Sequence, residues 1–156
     1  MSLYDWLLFF HVAGAFMVVA GLVFLGVALI VAWRRERTDE AALALWLAKP
    51  NARLFDAGGV TLLIFGLWLV FHQDAYGITD GWILLGLGLW LVAAILGSRA
   101  ARRYAAVADV AAAGTTPAAE LRARVQDSTG LLLYVLTVLA VLVAIAVMIF
   151  KPGLES

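Results

Sequence analysis

Residues 6–33, WLLFFHVAGAFMVVAGLVFLGVALIVAW, decide the fold of this chain. The stretch has 28 residues, and His11 is its one ionisable side chain. At ~1.5 Å per residue a helix of this length is ~42 Å long, which exceeds the ~30 Å hydrocarbon core of a bilayer. The stretch therefore predicts a transmembrane helix that tilts or extends past the lipid core.

The composition of the whole chain agrees with this prediction. Of its 156 residues, 65% are hydrophobic and 14% are charged, and the mean hydropathy is +0.99. A soluble domain has about 45–50% apolar and about 25% charged residues. The lack of cysteine excludes disulfides, thiolate metal sites and thiol catalysis. The basic residues lie beside apolar runs with no base-stacking aromatics between them, so no nucleic-acid partner is expected.

Three further apolar runs follow, at residues 55–71, 81–97 and 130–150. The four runs together predict an all-α fold, in which residues 1–156 form a single membrane domain of four transmembrane helices. Residues 38–47 predict a separate short helix that Pro50 ends, because a proline inside a helix removes a hydrogen bond and clashes with the preceding turn. Another short helix is expected at residues 118–125.

Lysine and arginine are segregated along the sequence. The connection 34–53 carries five of them, the connection 98–127 carries five, and the connection 72–80 carries none. They are Arg34, Arg35, Arg37, Lys49, Arg53, Arg99, Arg102, Arg103, Arg122 and Arg124. Because cytoplasmic loops hold the positive excess, the pattern predicts a bacterial cytoplasmic (inner) membrane protein with both termini outside.

A short motif, Ala-Arg-x-x-Asp, precedes the second and fourth spans at residues 52–56 and 123–127. It is consistent either with a twofold repeat of two parallel helical hairpins or with convergence, since both helices begin near lipid headgroups. The spacing predicts two charge pairs on the cytoplasmic side, Arg53 with Asp56 and Arg124 with Asp127. They are interpreted either as helix-end electrostatics or as an ion or proton entry.

Small residues recur every seven positions within three of the spans, which returns them to nearly the same helix face. The glycines are Gly14, Gly21, Gly59, Gly66, Gly81 and Gly88, and Ala28 continues the first series. Such stripes let helices approach closely in lipid, so we expect them to face the bundle. His11 lies near the Gly14 face at 100° per residue and is expected to point inward.

The two histidines of the chain, His11 and His72, are both predicted near the outer surface. Imidazole ligates haem, copper and zinc, and Met17 and Met148 could add soft ligands. Asp5, Asp74 and Asp80 place carboxylates at the same rim. The candidate cofactors are haem b or copper. Two alternatives stay open: a simple hydrogen bond between helices, or a proton relay through His11.

Three segments resemble a family of bacterial predicted integral membrane proteins, domain of unknown function 2269. They are residues 7–14 (LLFFHVAG), 81–83 (GWI) and 147–153 (VMIFKPG), together with the glycine-rich second span. The resemblance implies a four-span membrane protein and no established activity. A more distant likeness is to copper-resistance D type proteins and to four-helix protoporphyrinogen oxidases of membranes. These also place a histidine early in the first span, so the likeness implies a role for His11 alone.

No catalytic motif occurs in the sequence, so catalytic residues are not predicted. The first functional hypothesis is a non-enzymatic accessory or scaffold subunit, acting as a homo-oligomer or within a larger membrane complex. The second is a b-type haem or metal-binding membrane protein that uses His11 and His72. The third is a small oligomeric transporter or channel. The lipid bilayer is the partner common to all three.

Overall fold

The structure is a computed structural model that describes residues 1–34, 38–73, 77–114 and 116–152. Arg35, Arg37 and Asp74, which the sequence analysis singled out, lie outside the described residues, and so does the side chain of Lys49. The described chain forms helices and contains no strand. The helices are α1 (Leu3–Arg34), α2 (Thr38–His72), α3 (Gly81–Ala112), α4 (Ala118–Val125) and α5 (Ser128–Phe150).

Four segments of the described chain are long and apolar enough to cross a membrane. They are Leu3–Arg34, Ala52–His72, Gly81–Ala112 and Ala119–Phe150. The prediction of an all-α fold with four membrane-spanning helices is therefore confirmed. The short helix expected after Pro117 is also present, as α4.

The prediction that Pro50 ends a separate short helix was wrong. The backbone of α2 stays helical over 35 residues, so the predicted short helix and the second span are one element. A proline inside a helix costs about 3 kcal/mol, but tertiary packing can outweigh such a local cost. Here Ala41 and Leu45, in the first turns of α2, are buried and hold this part of the helix in place.

Successive spans run antiparallel, because residues early in one helix meet residues late in its neighbour. The contacting pairs are His11 with Gly66, Gly14 with Gly58, Gly86 with Met148, and Gly97 with Thr137. The start of α1, the end of α5 and the connection between α2 and α3 therefore lie together, at what we call the terminal end. The opposite end carries Arg34, Arg99, Arg102, Arg103 and α4, and we call it the basic end.

Each end of the bundle has its own core. The basic-end core joins α4 to the three longest helices, and its members are Leu29, Ala32, Ala41, Leu45, Tyr104, Ala108, Ala111, Leu121 and Val125. The terminal-end core is smaller and consists of Trp82, Ile83 and Val147, with partly buried neighbours such as Met148. Because Leu121 and Val125 are almost fully buried, α4 packs against the bundle and covers its basic end.

Helices α1 and α2 meet backbone to backbone. A Cβ atom at Gly14 would lie 2.7 Å from the backbone nitrogen of Leu62 and 2.9 Å from the carbonyl oxygen of Gly58. One at Gly58 would lie 2.7 Å from Cβ of Met17. No side chain fits at either position without moving a helix, so the two glycines set the distance between α1 and α2.

The third glycine stripe behaves differently from the first two. Gly14 and Gly21 are buried, and Gly59 and Gly66 lie beside Trp90 and His11 respectively. Gly81 and Gly88 are exposed, and a Cβ atom at either would meet nothing within 4 Å. The expectation that this pair faces the bundle was wrong. The packed face of α3 passes instead through Gly86, Ala93 and Gly97, which are buried.

We expect Gly14→Ala to lower the free energy of unfolding by about 1–3 kcal/mol, since the new methyl group overpacks the α1–α2 contact. Gly88→Ala is the matched control. It adds the same atom in open space and should leave stability unchanged or raise it by up to ~1 kcal/mol through helix propensity. Unfolding in mixed micelles, followed by circular dichroism, measures both. Equal stabilities of the two variants would contradict the assignment of Gly14 to a close contact.

Candidate functional site

The imidazole of His11 lies between α1 and α2 and is bound to backbone. Its Nδ1 is 2.9 Å from the carbonyl oxygen of Leu62, and the ring packs on Gly66. Because a carbonyl oxygen can only accept, Nδ1 carries the proton in this contact. His11 is half-buried, and its ring faces a helix as the sequence predicted. The geometry is that of a hydrogen bond between two helices.

Two more side chains inside the spans make the same kind of contact. Trp90 on α3 donates from Nε1 to the carbonyl oxygen of Gly59 on α2, at 3.0 Å. Tyr134 on α5 donates from Oη to the carbonyl oxygen of Leu22 on α1, at 3.1 Å. Together with His11, these bonds link α1 to α2, α2 to α3, and α5 to α1. We call these three contacts the carbonyl staples.

Glycine makes room for two of the three carbonyl staples, those of His11 and Tyr134. A Cβ atom at Gly66, four residues after Leu62, would lie 2.8 Å from Nδ1 of His11. Gly26 stands four residues after Leu22, and a Cβ atom there would collide with the hydroxyl of Tyr134. A helical carbonyl points toward the residue four positions later. A glycine there leaves the oxygen open to a second donor.

The predicted ligand set does not converge on one place. His11 meets α2 at Leu62 and Gly66, whereas His72 is exposed at the end of α2, about 9 Å further along at 1.5 Å per residue. Met17 packs against Gly58. Met148 packs between α3 and α5 against Gly86. Among the described residues, no group of three or more histidine, aspartate or glutamate side chains could hold a metal ion.

The predicted acidic rim is also engaged locally. Asp5 accepts from the backbone nitrogen of Ser2 at 2.7 Å, and Asp80 accepts from that of Gly77 at 3.1 Å. These bonds close short turns at the terminal end, next to the start of a helix. The two carboxylates therefore stabilise the local backbone.

The charge pair predicted between Arg124 and Asp127 is replaced by two others. Arg124 binds Glu120 on the same helix, at 2.8 Å, one turn away. Asp127 binds Arg103 of α3 and accepts from the backbone nitrogen of Gly130, so it caps α5. The prediction was wrong because Asp127 lies beyond the end of α4, where the i, i+3 spacing of a helix no longer applies.

The other predicted pair lies inside a helix. Arg53 and Asp56 both belong to α2 and are exposed, and no ion pair joins them in the part of the chain that the structure describes. The related motifs at residues 52–56 and 123–127 thus end in different structures. Asp56 sits within a continuous helix, whereas Asp127 begins one.

The contacts of Trp90, Tyr134 and Tyr104 were not predicted from the sequence. For Tyr134 the signal is present but indirect: an aromatic donor lies inside one span, and a glycine on another helix leaves a carbonyl oxygen accessible. Without the pairing of helices, nothing in the sequence connects Tyr134 with Gly26. Tyr104 lies in the basic-end core, where 4% of its surface is exposed.

We expect His11→Leu to lower the free energy of unfolding by about 0.6 kcal/mol and by no more than about 1.7 kcal/mol, the average and the maximum for hydrogen bonds between membrane helices. His72→Leu is the matched control and should change stability little, because this side chain is exposed at a helix end. In a Gly66→Ala background, whose methyl group already displaces the imidazole, His11→Leu should cost less than it does alone. Additive losses in that double variant would show that His11 and Gly66 act separately.

Comparison with known proteins returns one family. A family model described as "Predicted integral membrane protein (DUF2269)" matches residues 5–152. No curated protein and no solved structure matches the chain, so the distant likeness to copper-resistance and protoporphyrinogen oxidase proteins is not supported by these comparisons.

Proposed function

Because the chain belongs to the DUF2269 family of predicted integral membrane proteins, we propose that it is a non-enzymatic accessory or scaffold subunit of a bacterial cytoplasmic membrane. In this proposal the protein acts by binding other membrane proteins and catalyses no reaction. A rigid four-span bundle presents apolar helix faces to other membrane subunits or to further copies of itself.

The carbonyl staples carry this proposal. In transport or redox proteins, polar side chains inside the membrane line a path or ligate a cofactor. Here His11, Trp90 and Tyr134 each donate to a carbonyl oxygen of a neighbouring helix. Their polar groups form hydrogen bonds that hold neighbouring helices together, which supports a structural role for the bundle.

The outer surface of the spans supports the associative part of the proposal. Large apolar side chains face outward on every span, among them Phe16, Phe24, Ile64, Leu84 and Leu139. Lipid or neighbouring helices must cover such side chains. Burying apolar area against another helix instead of a lipid chain gains little free energy. Whether a helix or lipid covers these side chains therefore depends on how closely the helix packs against them.

The alternatives receive less support from the geometry. A haem held by His11 and His72 needs both imidazoles on one iron. The imidazole of His11 contacts α2 at Leu62 and Gly66, and His72 follows six to ten residues later, a rise of about 9–15 Å along the helix at 1.5 Å per residue. An ion entry at Asp127 needs an available carboxylate, but this one is bound by Arg103 and by the start of α5.

We propose further that the basic end faces the cytoplasm, as the distribution of lysine and arginine favours. The natural lack of cysteine makes the test direct. In intact cells a membrane-impermeant maleimide should label Gln73→Cys, at the terminal end, and should label Arg102→Cys only after the membrane is opened. Labelling of Arg102→Cys in intact cells would reverse the orientation.

Purification in a mild detergent tests the proposed role. We expect an assembly heavier than the 16.8 kDa chain by light scattering, without visible absorption and without copper or iron in elemental analysis. His11→Ala should leave the composition of that assembly unchanged, because His11 faces α2 and not the outer surface. A haem absorption band that disappears in His11→Ala would overturn the scaffold proposal in favour of cofactor binding.

A further inference from the structure

Three arginines near the basic end lie at nearly the same height on two neighbouring helices. The ring of Phe55 on α2 packs on Gly97 of α3, where a Cβ atom would lie 2.8 Å from it. Arg53 comes two residues before Phe55 on α2. Arg99 comes two residues after Gly97 on α3, which runs antiparallel to α2, so both arginines are displaced equally toward the basic end. Arg102 follows about one turn later, and we call the three residues the arginine face.

The arginine face lies on the outside of the pair formed by α2 and α3. At about 100° per residue, Arg53 is turned about 140° from Gly58, which contacts α1. Arg102 is likewise turned about 140° from Gly97, which contacts α5. Helices α1 and α5 are linked by a carbonyl staple, so both lie on one side of the pair. The arginines lie on the other side, where all three are exposed.

The arginine face has no counter-ion within the part of the chain that the structure describes, since none of its members forms an ion pair there. Other arginines of the basic end differ in this respect. Arg103 is bound to Asp127 of α5. Arg124 is bound to Glu120 of its own helix. Asp56 lies about one turn deeper in α2, and its single charge offsets at most one of the three arginines.

The depth of the arginine face matches the headgroup layer of a bilayer. On α3, Arg99 and Arg102 follow Trp82 by 17 and 20 residues, a rise of ~26–30 Å at ~1.5 Å per residue. On α2, His72 follows Arg53 by 19 residues, a rise of ~29 Å. The hydrocarbon core is ~30 Å thick. When Trp82 and His72 lie at one surface of that core, the three arginines therefore lie at the other.

The chemistry of the headgroup layer selects the ligand. A guanidinium group binds phosphate oxygens through two parallel hydrogen bonds, which the opposite charges strengthen. A zwitterionic phospholipid carries a cation beside its phosphate, and the surplus positive charge of the arginine face disfavours that cation. An anionic phospholipid offers the phosphate without the cation. Basic sites between membrane helices bind headgroups of this kind.

We propose that Arg53, Arg99 and Arg102 form a binding site for the phosphate of an anionic phospholipid on the outer face of α2 and α3. A phosphate bound by Arg53 and by an arginine of α3 bridges the two helices at the basic end. The site does not depend on the accessory role proposed above, because it requires only the bundle and the surrounding lipid.

Native mass spectrometry of the detergent-purified protein tests the site. We expect the wild-type chain to retain severalfold more phosphatidylglycerol than phosphatidylcholine when each is added at the same concentration. Arg53→Gln/Arg102→Gln should lower the bound phosphatidylglycerol severalfold. Arg34→Gln/Arg124→Gln is the matched control. It removes the same charge from the basic end outside the arginine face and should bind phosphatidylglycerol as the wild type does.

Two results would overturn the proposal. Equal losses in the two double variants would show that binding follows total charge and not the arginine face. Unchanged binding in Arg53→Gln/Arg102→Gln would show that these arginines do not hold the lipid.

The wild-type protein gives an independent test that needs no variant. Phosphatidylglycerol should raise the melting temperature in detergent more than phosphatidylcholine does, because only a lipid bound to the folded state stabilises it. High salt should reduce this difference, since it screens charges at an exposed surface. The same melting temperature in both lipids would contradict a site for anionic lipid.

Discussion

Helix α1 approaches α2 closely because each helix carries a glycine, Gly14 or Gly58, at their closest contact. Lipid chains are as apolar as the helices, so the hydrophobic effect does not drive the two together inside a membrane. Contact between backbones at Gly14 and Gly58 supplies the van der Waals attraction instead. The remaining contacts of α1 follow from that crossing, including the position of His11 over the carbonyl of Leu62.

The carbonyl staples extend the same use of glycine from packing to hydrogen bonding. A carbonyl oxygen within a helix already accepts one bond, and it has a second lone pair. A side chain four residues later normally covers it, but Gly66 and Gly26 leave the oxygens of Leu62 and Leu22 accessible. The chain thereby binds His11 and Tyr134 to backbone, and neither bond requires a second polar side chain inside the lipid.

The sequence predicted the elements better than their contacts. Length and hydropathy were enough for the four spans, since each has to cross a layer of fixed thickness. The inward orientation of His11 also followed from its spacing to Gly14. Predictions from local sequence were wrong where tertiary packing acts. Helix α2 continues past Pro50 because its first turns are buried. Asp127 pairs with Arg103 instead of Arg124 because α4 ends before it. The prediction that Gly88 faces the bundle was wrong for a related reason, since α3 packs along Gly86 and Gly97 instead.

The uninterrupted course of α3 couples the lipid-embedded part of the molecule to its basic end. At ~1.5 Å per residue, 32 residues span ~48 Å, well beyond the ~30 Å of a hydrocarbon core. The same helix contacts Met148 near one end and carries Ala108 and Ala111, which pack in the core that α4 covers, near the other. A stiff rod of this kind cannot change its inclination at one end alone. Helices tilt to match the thickness of the surrounding bilayer. A change in bilayer thickness that tilts α3 would therefore also displace α4, which packs on its far end.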